Sequence, residues 1–159
     1  MDSSASRTTI LLLDREFSSL LENLQSLANA VPSDLFYRNV RSLSVGVAIL
    51  KSAGVLEQTF GGITSNLWDD PFEWTLPETL STPALVLGYL AEVDSTKRRA
   101  FSSFEEDSVL HKLIALPSGD SCSLLQLLTN TLQRASEYAG QATATFEMLS
   151  DVSASGFII

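Results

Sequence analysis

Few side chains in this chain can do chemistry outright, and each stands apart from the partners it would need. Of 159 residues one is histidine, His111, and one is cysteine, Cys122. A His-rich metal centre and an internal disulfide are both excluded by that count. His111 follows the run Phe104-Glu105-Glu106-Asp107. Carboxylates beside an imidazole can form an acid–base pair or a ligand set, but nothing in the spacing aims them, so His111 reads as a partly exposed loop residue. Cys122 is expected at the start of a helix, where the dipole lowers a thiol pKa. It has no second cysteine or nearby histidine, so it reads as a small residue in a capping turn. The serines lack a histidine to serve as base. No Gly-rich phosphate loop, Gly-x-Ser-x-Gly elbow or His-Glu-x-x-His motif occurs. Lys97-Arg98-Arg99 is the only basic run. Three consecutive helical residues fan over about 200° of arc, so the run reads as a solvated face.

Composition narrows the partners. Apolar residues make up 45% and charged residues 18%, with a formal charge of −9. Such a surface repels phosphate backbones and anionic headgroups, so neither nucleic acid nor a lipid surface is expected as a partner. The longest aliphatic run, Ile10 to Leu13, is far short of the roughly 20 residues a membrane span requires. Met1 to Thr9 lacks a secretory apolar region. A cytoplasmic protein of one domain over residues 1–159, with its core at about 8–150 and no cofactor, is the expectation.

The elements that must position any site are helices. Ile10, Leu13, Phe17, Leu20, Leu24 and Leu27 recur at steps of three and four and predict a helix from Thr8 to about Ala30, stopped by Pro32. A link follows in which Ser33 or Asp34 can cap a single turn. The second helix is predicted from Ser42 or Ser44 to Gly61-Gly62, with Val45, Ala48, Ile49, Ser52, Leu56 and Phe60 inward. Gly46 and Gly54 inside it point to close approach of a neighbouring helix, and a frayed start explains Gly46 equally well. Residues 63–81 hold Trp68, Phe72 and Trp74 together with Pro71 and Pro77, and predict a loop folded over a bundle end with the rings as anchors. Ser81 or Thr82 caps a third helix with Pro83 at its first position, running to Phe104. Residues 105–121 form a second connection, capped at Asp120 or Ser121. A fourth helix is predicted from Cys122 to about Ser150, its seam running from Leu124 to Leu149. Without a convincing strand, the fold class is all-α, a four-helix bundle with a long aromatic-rich connection between helices two and three.

In order and separation, several phrases resemble the DinB-like (DinB/YfiT) superfamily of bacterial four-helix bundles. They are Ser33-Asp34-Leu35, Ser44-Val45-Gly46, Ala53-Gly54-Val55 with Glu57, Pro117-Ser118-Gly119, Leu124 to Leu128, and Gly140-Gln141. The resemblance spans residues 8–150. It implies a metal held by three histidines, one on helix two and two at i, i+4 on helix four, and relatives that act as thiol transferases or isomerases. Here the helix-four line falls on Asn130, Arg134 and Tyr138, and the helix-two position on Lys51 or Ser52. None is histidine, so the chain resembles a divergent member that has lost its metal site.

Asn130, Arg134, Tyr138 and Gln141 lie in one row of helix four. With Lys51, Ser52 and Glu57 they are the candidate ligand pocket. Arg134 in the metal's place calls for a carboxylate, Glu57 first, because a buried guanidinium without one is very costly. Two arrangements stay open: a polar pocket for a small anion or carbonyl group, or a closed Arg–Glu–Tyr network that fills the space. The functional expectation is a small-ligand binding or stress-associated accessory protein. The alternatives are a metal-independent transferase or isomerase working through Arg134, Tyr138 and Glu57, and a structural or protein-interaction module. A homodimer is expected from Leu11, Leu12 and Leu21 on helix one and from Phe157-Ile158-Ile159.

Overall fold

The computed structural model describes residues 6–40 and 43–154, the side chains of 151–154 excepted. It holds four long helices: α1 Thr8–Ala30, α2 Val45–Ser65, α3 Pro83–Ser102 and α4 Leu124–Ala154. Helix α2 packs chiefly on α4 and α3, and α1 on α3 and α4, while α1 and α2 touch less. The two helices joined by the first link therefore sit diagonally across the bundle. Periodic apolar faces meet inside, as amphipathic helices require. Phe17, Phe60 and Phe101 form the centre of one end, with Phe17 edge-on to Phe60 at 5.1 Å. Phe104 extends the cluster, 5.2 Å from Phe101.

Helix α1 begins and ends where its periodicity predicts, but its cap comes from elsewhere. Arg7 precedes the first turn and makes no side-chain cap bond. Instead Asp107 accepts from the amides of Ile10 at 3.0 Å and Thr9 at 3.1 Å, closing the helix start across about a hundred residues of chain. Arg7 reaches the other way, donating to the carbonyls of Phe104 and Phe101 at the end of α3. Asp107 lies below the usual carboxylate range: desolvation pushes it up, but the Ile10 and Thr9 amides, the Ser6 hydroxyl and Arg7 outweigh it. The acidic run after α3 therefore contains a helix cap.

Helix α2 starts at its predicted cap, Ser44, whose hydroxyl accepts from the Val47 amide; Ser42 lies outside the described residues. It runs through Gly61-Gly62 rather than stopping there, and ends where Asn66 adopts a left-handed φ of 55°. The glycine pair serves packing: a Cβ on Gly62 would enter the Trp68 ring. Gly46 is likewise pressed by Tyr37 and Phe36, which belong to the first link and not to a neighbouring helix, whereas nothing lies within 4 Å of a Cβ built on Gly54. The link after α1 is a series of turns, with Leu35 donating to Pro32 and Phe36 to Ser33, and its described residues contain no helix.

The second connection departs furthest from expectation. Leu113–Ala115 (β1) and Ser121–Ser123 (β2) pair antiparallel, Ile114 opposite Cys122, around a turn in which Gly119 takes φ +92°. Pro117-Ser118-Gly119-Asp120 is the turn chemistry of a hairpin, too short in its flanking runs to be read as strands. Helix α4 starts two residues late, with Ser123 accepting from the Gln126 amide. Cys122 thus sits in a strand and not at a helix N-terminus. His111 closes a single 3-10 turn, Asp107–His111, and is exposed.

Candidate functional site

The crossover from α2 to α3 runs back along α2 instead of over a bundle end. Trp68 lies on Gly62, and Gln58 donates to the Trp68 carbonyl at 2.9 Å. A 3-10 turn, Pro71–Glu73, is capped by Asp70, which accepts from the Phe72 amide. Phe72 then lies beneath the Lys51 ammonium, 3.9 Å from the ring centre. Further on, the Tyr37 hydroxyl donates to the Leu80 carbonyl; burial, then Glu78, pushes that phenol up to about 12. Trp68 and Phe72 are anchors as predicted. Trp74 is not, being 50% exposed.

This path divides the surroundings of α2 into two unlike faces. Toward α4 the contact is closed. Ser52 is buried and donates to the Ala135 carbonyl at 2.7 Å, and the Thr59 and Thr131 hydroxyls share a hydrogen bond of 2.6 Å. At the rim of that seam Lys51, Arg134 and Tyr138 come together with Asp70 and Phe72 around a depression of about 70 Å³. Arg134 is exposed there, and Asn130 and Gln141 are exposed further along the row, Asn130 accepting from Gln126. No Arg134–Glu57 ion pair exists among the described residues. The expected network is corrected by geometry: Glu57 projects toward α3, one face away from the Arg134 row. Two cations against one carboxylate do not fit a divalent metal, so the ligand set implied by the resemblance finds no equivalent at these positions.

Toward α3 the contact is open. Glu57 accepts a 2.6 Å hydrogen bond from the Tyr89 hydroxyl. Burial raises the Glu57 carboxyl above its ordinary value; the Tyr89 bond opposes this, and Glu92 adds to it. The Tyr89 phenol is driven far up by burial first, then by its bond to Glu57 and that group's charge. The pair borders a cleft of about 410 Å³ walled by Trp74, Thr75, Leu80, Leu85 and Glu92. Glu57 and Trp74 also line a smaller cleft of about 180 Å³ with Asp69, Thr96 and Arg99. A half-buried carboxyl with a shifted pKa, beside a phenol in a concave apolar site, is the usual physical character of a ligand site.

Of the seven candidate residues, the structure gathers Lys51, Arg134 and Tyr138, buries Ser52 in the seam, separates Glu57, and leaves Asn130 and Gln141 on the surface. Tyr89, Glu92 and Trp74 were not among the expected site residues. Tyr89 and Glu92 are three apart on α3, a spacing that shares a helical face, but nothing in the sequence opposes them to Glu57. Lys97 also departs from its reading as solvated: it is 2% exposed, donating to Asp14 at 2.9 Å and Ser18 at 2.7 Å on α1. Arg98 and Arg99 are exposed.

Compared with known proteins, the chain matches no protein-family model and no curated protein. Among the described residues no helix is long and apolar enough to cross a membrane.

Proposed function

We propose that this chain is a metal-free bundle of DinB-like type that binds a small molecule between α2, α3 and the crossover. The observation that carries the reading is the cleft of about 410 Å³ with the Glu57–Tyr89 pair in its wall. The DinB-like part is supported by element order, by the long crossover between α2 and α3, and by Ser44-Val45-Gly46 and Leu124 to Leu128 falling at the starts of α2 and α4. Thr75, Leu80 and Leu85 offer apolar and hydroxyl contacts, and the half-exposed Trp74 offers a ring face. The placing of Glu57 apart from Arg134 and Tyr138 favours binding in this cleft over a reaction worked by those three.

A plug tests it. Nothing lies within 4 Å of a Cβ on Gly88, which lines the cleft from the exposed side of α3. Gly88→Phe should therefore fill the cleft and leave the bundle intact. The neutral dye N-phenyl-1-naphthylamine should brighten with the parent and lose about tenfold or more in affinity with Gly88→Phe. Equal binding by both proteins overturns the cleft as the site.

The same reading includes a cytoplasmic homodimer. Leu11 and Leu12 on α1 are 52% and 53% exposed, an adjacent apolar pair suited to a second copy; Leu21 is buried in the monomer's own core. Phe157 to Ile159 lie outside the described residues. Sedimentation equilibrium at micromolar concentration should give twice 17.2 kDa, and the single mass overturns the dimer.

A further inference from the structure

The charge around the cleft has one sign. Glu57 and Glu92 both line it, and none of its lining residues is basic. Asp70, at the head of the 3-10 turn, adds its charge to the field felt at Tyr89. Arg99 lines only the smaller neighbouring cleft and makes no ion pair with Glu57 among the described residues. Trp74, a large ring half open to solvent, lines the same cleft as the two carboxylates. An aromatic face attracts a cation through its quadrupole, and indole does so most strongly of the side chains. Desolvation of a carboxylate is relieved by an opposite charge, which an anionic or neutral guest cannot supply.

We infer that the cleft selects a small organic cation, an amine or quaternary ammonium held between the Trp74 ring and the carboxylates of Glu57 and Glu92. The inference rests on the small-molecule reading above and specifies its ligand class. Thr75 and Thr79 border the same space and can accept from the N–H groups of a primary amine. Leu80 and Leu85 accommodate its hydrocarbon part. The size agrees: about 410 Å³ lies within the range of small-molecule pockets, roughly 300 to 1,000 Å³.

The probes are benzyltrimethylammonium and its neutral carbon isostere neopentylbenzene, which share shape and differ in charge. Titrations are read on the two tryptophan indole N–H signals in proton–nitrogen spectra. The Trp68 indole donates to Asn66 at 2.9 Å, away from the cleft, so it serves as the internal control. The Trp74 signal should move with the cation, which should bind about tenfold or more tighter than the isostere. Glu92→Gln, at an exposed position, should weaken the cation several-fold and leave the isostere unchanged; Trp74→Leu should weaken it as well. Equal affinity for cation and isostere, with dye binding still lost in Gly88→Phe, overturns the charge selectivity and spares the site. Failure of dye, cation and isostere alike to bind the parent overturns the site itself. If the cation moves both indole signals and Glu92→Gln changes nothing, its binding is non-specific and the inference fails.

Discussion

The two faces of α2 contain similar raw material and put it to opposite uses. Toward α4, Ser52 and Thr59 are buried polar groups, and each has its partner within the protein. A satisfied hydroxyl rigidifies a seam and leaves nothing over for a guest. Toward α3, Glu57 is less deeply buried, yet its side-chain partner is a phenol and the charged group that shifts it, Glu92, has the same sign. That face retains both space and unmatched charge. Polar groups near a core mark a site only where the fold leaves them short of partners.

The largest effect belongs to the closed face. Thr59→Val leaves the Thr131 hydroxyl without its 2.6 Å partner and should cost about 1 to 3 kcal/mol in urea unfolding. Adding Thr131→Val removes the orphan and should return most of that loss, because two apolar groups of the same shape suit the interior. Single and double variants that lose stability additively would show the hydroxyls act independently, and the seam would no longer differ in kind from the cleft.

The sequence made the four helices legible because their apolar steps are long and regular: α1 lies on its predicted span, and Thr82 with Pro83 starts α3 as read. The hairpin was hidden by strands of three residues each, too short for an alternation to register. Lys97 was hidden for a different reason: its burial depends on Asp14 and Ser18 on another helix, a relation no local window contains. The site was half visible. Glu57 could be singled out, but its pairing with Arg134 rests on the cost of a buried guanidinium without a carboxylate, and Arg134 is exposed. Which face of α2 each residue shares follows from where the crossover runs, and Gly62 beneath Trp68 fixes that path.

The open face gives a pH effect of definite sign. Glu57 has its folded-state pKa above the ordinary value, chiefly through burial. The folded chain thus holds a proton there more tightly than the unfolded one. Its contribution is full below the unfolded pKa and is lost as pH rises through the folded one. Glu57→Gln keeps an oxygen acceptor for Tyr89 and cannot ionise. The variant should therefore gain on the parent in unfolding free energy between pH 4 and pH 7, with Glu92→Gln shifting the parent's own curve the same way. A difference independent of pH across that interval would mean Glu57 is solvated like a surface carboxylate, and the contrast between the faces would fail.

The smallest expected effect is that of Gly54→Ala, in a comparison that separates glycines the sequence treats alike. Gly54 lies one turn before Glu57, on the stripe i, i+3 that looks toward α3, and nothing stands within 4 Å of the Cβ it lacks. Gly46, earlier in the same helix, is pressed by Tyr37 and Phe36. In a helix interior alanine is favoured over glycine by about 1 kcal/mol. That preference is available in full only where the added methyl meets no neighbour. Gly54→Ala should raise the urea midpoint, by up to about 1 kcal/mol in unfolding free energy with an unchanged slope. Gly46→Ala should lower it, because overpacking typically costs about 1 to 3 kcal/mol and exceeds the propensity gain. Should both substitutions destabilise, Gly54 is packed against α3 after all, and the open face of α2 begins further along the helix, at Glu57.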